Sequence, residues 1–380
     1  MERIYVDHAA TTPTDPVVIE KMTETMVNSY GNPSSIHWFG REARKIIDDA
    51  RAGIAKSIGA TETEIIFTSG GTEADNYAIF GVAEANRDKG KHIITSVIEH
   101  HAVLHACQEL EKRGFEVTYL PVDENGEISL TDFQHALRAD TILVTIMYGN
   151  NEVGSIQPIA KMGEILEDHQ AIFHSDAVQA YGIEKLSVKE LKVDLLSVSA
   201  HKINGPKGIG FLYAKKGIQL SPRLFGGEQE RKRRAGTENV PAIAGFFEAV
   251  KKIQNEQDMR CEQYKKYKEV LIDTLKTNDI TFHINGKLEE SLPHILNVSF
   301  PGTNVEAMLV NLDLAGIAVS SGSACTAGTV DPSHVLVAMF GQESPRIADS
   351  IRFSFGTTNS VEQIKNVGEE VSKIVNRLLR

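Results

Sequence analysis

Val193-Asp194-Leu195-Leu196-Ser197-Val198-Ser199-Ala200-His201-Lys202 decides the reading of this chain. The apolar run reads as a buried strand, and it delivers Lys202 to the strand's carboxyl edge instead of to solvent. A second apolar run, Ala171-Ile172-Phe173-His174, leads to Asp176. Parallel strands of an open α/β sheet bring such ends together, and ligands bind in the crevice they form. An amine able to form a Schiff base, with a carboxylate to face a pyridinium nitrogen, is the pair that pyridoxal phosphate (PLP) requires.

Working outward, further short apolar runs occupy residues 64–68, 92–97, 116–120, 141–147 and 209–213, with helical patterns between most of them. Residues 72–86 place Ala74, Ala78, Ile79, Val82 and Ala83 along one helical face. This alternation predicts a largely parallel sheet covered on both sides. From Val240 to Thr277 the pattern becomes one long helix with a polar middle, suited to bridging two domains. Strand signals return at 294–300 and 351–355. A closing helix follows, capped by Ser360 and Gln363 and expected to bury Val361, Ile364, Val367, Val371 and Ile374. A large α/β domain followed by a smaller α+β domain is the expected architecture, and 380 residues suit two cores.

The bulk properties narrow the function. A net charge of −11 argues against a nucleic-acid duplex as ligand, because phosphate binding needs clustered cations. The one basic run, Arg231-Lys232-Arg233-Arg234, reads first as a solvated loop. Three cysteines (Cys107, Cys261 and Cys325) form no CxxC, so neither a disulfide framework nor a zinc knuckle is indicated. No apolar run approaches the ~18 residues of a membrane helix, and the opening residues lack a signal-peptide pattern. The expected compartment is the cytoplasm.

Several short motifs carry chemistry. Phe67-Thr68-Ser69-Gly70-Gly71-Thr72-Glu73-Ala74 reads as strand, glycine turn and helix start, which is either a phosphate cradle or a plain turn capped by Thr72. Gly205-Pro206-Lys207-Gly208-Ile209-Gly210 is rejected as a dinucleotide fingerprint, because it runs into a strand and not a helix. His101 and His105 have metal-binding spacing but no third ligand is apparent, so no metal is expected. His100 ends an apolar run, where a neutral imidazole could stack on a flat cofactor and relay protons. Asn151, in Tyr148-Gly149-Asn150-Asn151, is a candidate partner for a ring substituent or an asparagine turn. Arg352 alternates out of the apolar 351–355 strand and could grip a carboxylate, or merely sit at the surface. Cys325 lies in a loop of small residues, where an accessible thiol can act as a nucleophile. Cys107, by contrast, sits among apolar neighbours at helical spacing and reads as core.

Taken together, Asp7-His8-Ala9-Ala10-Thr11-Thr12-Pro13, Ser69-Gly70-Gly71-Thr72-Glu73, Ser199-Ala200-His201-Lys202 and Ser321-Gly322-Ser323-Ala324-Cys325 closely resemble the PLP-dependent cysteine desulfurases of the class V aminotransferase family. The match is to the group with a long cysteine loop, which serves iron–sulfur cluster assembly and tRNA thiolation. The resemblance implies a PLP fold-type-I architecture with a mainly parallel seven-stranded sheet. It places a large domain at residues 14–258 and a small domain at 1–13 and 259–380, in a homodimer. It implies that Lys202 is the Schiff-base lysine and that Asp176 faces the ring nitrogen. Gln179 and Asn151 would bond the phenolic side of the ring, with His100 stacked on it. Gly71, Thr72, Ser199 and His201 would hold the phosphate, and Thr237 would reach the phosphate of the other subunit's cofactor. Arg352 would bind the substrate carboxylate.

The implied reaction converts L-cysteine to L-alanine. Lys202 removes the Cα proton, and the Cys325 thiolate takes the substrate sulfur as a persulfide for delivery to an acceptor protein. Three rivals fit less of the chain. A transaminase or selenocysteine lyase leaves Cys325 without a task, a sulfur-relay scaffold leaves Lys202 and Asp176 idle, and a metal hydrolase needs the ligand that His101 and His105 lack.

Overall fold

The computed structural model describes residues 3–321 and 332–380. Seven strands form the main sheet: Ile65–Thr68, His92–Ser96, Glu116–Leu120, Thr141–Thr145, Ile172–Asp176, Leu195–Ser199 and Gly210–Ala214. Their spatial order is 65–68, 210–214, 195–199, 172–176, 141–145, 92–96, 116–120. Gly210–Ala214 runs antiparallel to both neighbours, and the remaining pairs are parallel. The reversal follows from the chain: the turn after Lys202 is too short for a crossover, and a short connection can only return antiparallel. The segment 205–210 therefore feeds a strand, as its sequence indicates.

Successive residues point to opposite faces of a strand, and the core is sorted accordingly. Phe67, Ile94, Val144, Phe173, Leu196 and Phe211 join one apolar cluster, while Ile66, Ile93, Leu143, Ile172, Leu195 and Leu212 join another on the other face. Both faces are covered by helices, so the strands read as continuous apolar runs.

Helix Val240–Thr277 starts on an Asn239 cap that accepts from Ala242 N. Its first part, to Ile253, packs into the main core, and Tyr264, Tyr267, Leu271, Ile272 and Leu275 pack into a second apolar cluster. Between them Arg260 is buried but paired, with Glu256 at 2.8 Å and the Asn204 side chain at 3.2 Å. The second cluster surrounds an antiparallel sheet of His283–Asn285, Ile295–Ser299 and Ser350–Ser354. Helix Val361–Leu378 closes it with the expected Ser360–Gln363 capping box. Val361 departs from expectation: at the first helical position it lies beyond the packed stripe and is exposed, while Val375 is buried in the last turn.

Two further ties fix the site. The N-terminal strand Ile4–Tyr5 pairs with Ile317–Ala318, Asp7 bridges to Ser354, and Thr12 N donates to His201 O at 3.0 Å. One short segment thus connects the second sheet to the turn that carries Lys202. The basic run is also partly structural. Arg234 forks onto Glu73 at 2.8 and 3.0 Å, and Arg231 and Lys232 take left-handed φ of 58° and 65°.

Glu230 just before them, at φ 48°, is buried and held by Arg51 through bonds of 2.6 and 2.7 Å and by Phe67 N at 3.1 Å. Removing one member of such a pair strands a buried charge. Arg51→Ala is expected to lower stability by about 3–5 kcal/mol in chemical denaturation. A change of a few tenths would show that the pair does not hold this turn.

Candidate active site

The strands Ile172–Asp176 and Leu195–Ser199 are in parallel register, with Asp176 opposite Ser197. Their carboxyl ends therefore lie at one edge. Asp176 is the last residue of its strand, two residues beyond the apolar run. Ser199 ends the neighbouring strand, and one turn of 3₁₀ helix, Ala200–Lys202, carries the lysine on. A cavity of about 560 Å³ opens at this edge. Apart from Thr237, every described residue to which the resemblance gives a role lines it: Gly71, Thr72, His100, Asn151, Asp176, Gln179, Ser199, His201, Lys202 and Arg352. Thr237 is exposed and away from the lining, and Cys325 lies outside the described residues.

Lys202 Nζ donates to Ala9 O at 2.5 Å and Ala10 O at 2.8 Å, so the N-terminal segment forms the wall against which the amine rests. Burial pushes its pKa down to about 8, with the Arg352 charge adding to the effect. Burial pushes the Asp176 carboxyl up to about 6, against the pull of Val178 N at 2.9 Å and of the Lys202 charge. His100 caps helix His101–Lys112, its Nδ1 accepting from Ala102 N at 3.1 Å, and burial followed by the Lys202 charge lowers it to about 4. It is a neutral ring at physiological pH.

Gly71 begins helix Gly71–Ala85, and a Cβ there would lie 2.8 Å from Val178 Cγ2 and 3.7 Å from Ser199 Cβ. Such a cradle, formed by a helix start with a hydroxyl at Thr72, suits a phosphate. His201 Nδ1 meets Thr11 Oγ1 at 3.1 Å. Gln179 spans Ala9 O at 2.9 Å and His294 at 3.2 Å. Arg352 binds Asp7 at 2.7 Å and Asn151 O at 3.0 Å, while its buried Nε has no partner. A phosphate cradle, a buried carboxyl, an amine of lowered pKa and a guanidinium with unmet capacity are together the donor set that PLP and an amino acid need.

The site also contains residues that sequence reasoning assigned no task. Asp7, Ala9 and Ala10 were visible in the opening motif but not their contact with Arg352 and Lys202. Asp75, one helical turn after Thr72, lines the cavity, a placement that spacing alone could have indicated. His334 had no signal at all. Its ring sits 4.7 Å from His101, which stacks on His105 at 5.0 Å. Among the described residues, one set of three acid and imidazole groups has ligand atoms all within 4.8 Å of one another: Asp75, His100 and Asp176, all inside this cavity.

Fold and cavity define a class V aminotransferase. The family model "Aminotransferase class-V" matches residues 4–367, and the chain belongs to that family, whose members depend on PLP. Within it, the chain is 62% identical over 378 residues to the putative cysteine desulfurase IscS 1 of Bacillus subtilis (strain 168), covering 100% of each. A solved NifS-like protein superposes with a TM-score of 0.93 at 37% identity, covering 99% of this chain and 100% of that one. SspA in complex with cysteine superposes with a TM-score of 0.82 at 35% identity, covering 93% of this chain and 98% of the other.

A lysine whose pKa falls on folding disfavours the folded state below its unfolded value. The cost is full below pH 8 and fades as the pH rises toward 10.5. Lys202→Met is therefore expected to raise the melting temperature of the cofactor-free chain at pH 7, with the gain shrinking by pH 10. An equal or lower melting temperature at pH 7 would show that the two carbonyl contacts outweigh burial.

Proposed function

We propose that this chain is a cysteine desulfurase that converts L-cysteine and an enzyme thiol into L-alanine and an enzyme persulfide, then passes the sulfur to acceptor proteins. The observation that carries this reading is the meeting of Lys202, Asp176 and Arg352 in one cavity at the sheet's carboxyl edge. The cysteine desulfurase relatives support it for the whole length of the chain.

In this reading the Gly71–Thr72 helix start, with Ser199 and His201, holds the phosphate of PLP, and Asp176 holds its ring nitrogen. Bound there, PLP supplies electron withdrawal at the substrate Cα. Lys202 would hold the cofactor covalently until the substrate amine takes its place, and the freed amine, with its lowered pKa, would accept the Cα proton near neutral pH. Arg352 orients the L-cysteine carboxylate, its guanidinium held in place by Asp7. His100, neutral and fixed at Nδ1 by Ala102 N, stacks on the ring and leaves Nε2 for a proton at the substrate. Gln179 and Asn151 bond the phenolic side. The Cys325 thiolate attacks the substrate sulfur: the new S–S bond forms on Cys325, the C–S bond breaks, and the pair left on carbon takes a proton to give alanine.

Thr237 serves across a subunit boundary, which explains its exposure on the single chain. Tyr30, Ile36, Trp38 and Phe39 make an exposed apolar patch, with Ile36 at 91% exposure, and this suits a homodimer. We read the domain division at residues 14–258 against 1–13 and 259–380, the long helix crossing from one core to the other. Acceptors in iron–sulfur cluster assembly or tRNA thiolation fit the long-loop resemblance, and the cytoplasm is the proposed location. Among the described residues no helix is long and apolar enough to cross a membrane.

Two measurements check this. Cys325→Ser should keep the yellow cofactor and still change colour with L-cysteine, yet form neither alanine nor sulfide. Alanine formation by that variant would leave a PLP lyase but remove Cys325 as nucleophile. Ile36→Glu combined with Trp38→Glu should turn a dimer into a monomer in light scattering, and a wild-type monomer would sink the subunit arrangement.

A further inference from the structure

Asp75 has no task in the reaction above, yet it is placed at its centre. It lies in the second turn of helix Gly71–Ala85, is 1% exposed, and lines the cavity. Its carboxyl, a ring nitrogen of His100 and the Asp176 carboxyl lie within 4.8 Å of one another. Asp75 Oδ1 is buried with no hydrogen-bond partner. The nearest imidazole nitrogen, His174 Nε2 at 3.7 Å, is engaged by Ser197 Oγ at 2.9 Å, and burial keeps that ring neutral, pushed down to about 3.

Two carboxylates this close and this dry cannot both ionise without cations to match. The surroundings choose between them. Asp176 has the Val178 backbone donor and the Lys202 charge beside it. Asp75 faces burial first, then the charges of Asp176 and Glu99, with the Ser197 hydroxyl as its one favourable contact. His100 and His174, the other titratable groups facing it, are both neutral. The proton therefore belongs on Asp75.

We propose that Asp75 is held as the uncharged half of an Asp75–Asp176 pair and acts as a positioning residue, leaving a single negative charge, on Asp176, for the cofactor's ring nitrogen. This rests on the PLP reading above. A second charge in the same pocket would draw the ring nitrogen or Lys202 away from Asp176, so the neutral form preserves one-to-one pairing.

The test compares Asp75→Asn, which mimics the uncharged acid, with Asp75→Ala. An acid kept uncharged in the fold, whose ordinary value is 3.8, contributes stability below that value and loses it as the pH rises. Asparagine cannot ionise and escapes the loss. Full-length cofactor-free Asp75→Asn should melt with the native chain near pH 4 and above it at pH 8. It should also bind PLP within about twofold of native with the same absorption band, and Asp75→Ala, likewise uncharged, should keep that band. Asp75→Asn melting below native at pH 8, or losing PLP or its absorption band, would show that the charged carboxylate is needed and overturn the proposal. If the native chain takes up no PLP, the cofactor reading has failed, and the melting comparison at the two pH values still decides the state of Asp75.

Discussion

Everything at this site depends on where one half-buried ammonium can rest. Lys202 is carried out of a dry strand by a single 3₁₀ turn, and its hydrogens must find oxygen or the charge is too costly to bury. The carbonyls of Ala9 and Ala10 meet that need. They can do so only because the N-terminal segment is fixed at both ends. Ile4–Tyr5 pairs with Ile317–Ala318, and Thr12 reaches His201 and Asn204. The first dozen residues therefore belong to the site as much as to the fold, and they hold the second sheet against the end of the first.

The charges around the cavity follow the same logic. Lys202 and Arg352 supply the positive charge, and Asp7 and Asp176 balance them, with Asp7 spent on Arg352 at 2.7 Å. Neutral His100 and His201 line the cavity without altering that balance. Burial is the leading cause of the shifts in Lys202, Asp176 and His100. The cavity thus holds an amine that gives up its proton readily, beside a carboxyl that lacks a full cationic partner. A positively charged aromatic nitrogen would complete the set.

What the sequence revealed and what it hid divide along physical lines. The strands announced themselves because both of their faces are buried, and the long helix because its apolar stripe is interrupted where the two cores part. The Lys202–Asp176 pairing was legible because strand ends in a parallel sheet converge by geometry alone. Contacts between distant segments were not legible. Nothing in the local pattern of Asp7 says that it will meet Arg352, and nothing in His334 says that it will meet His101. Val361 failed for a related reason: helical periodicity extends past the last residue that has anything to pack against. Reading Arg231-Lys232-Arg233-Arg234 as solvated loop holds for the exposed Arg231 and Lys232 but missed Arg234, which is committed to Glu73 and so steadies the start of helix Gly71–Ala85.

Arg352 is also tied through its backbone to the chain that precedes the cysteine segment. Its N donates to Ser320 O at 2.7 Å, and Ser320 N donates back to Arg352 O at 3.3 Å. The side chain that would orient the substrate carboxylate and the strand that leads toward Cys325 are therefore fixed to each other. Ser321 on one side of the cysteine segment and His334 on the other both line the cavity. At the far end, His334 Nε2 meets Glu99 O at 3.0 Å, next to His100, and Ser333 donates to the buried Glu152 at 2.5 Å. The described residues on either side of the segment bearing the proposed nucleophile thus lie beside Arg352 and beside His100. A substrate gripped by Arg352 as proposed, with His100 beside it, would lie in the cavity that both described ends of that segment line.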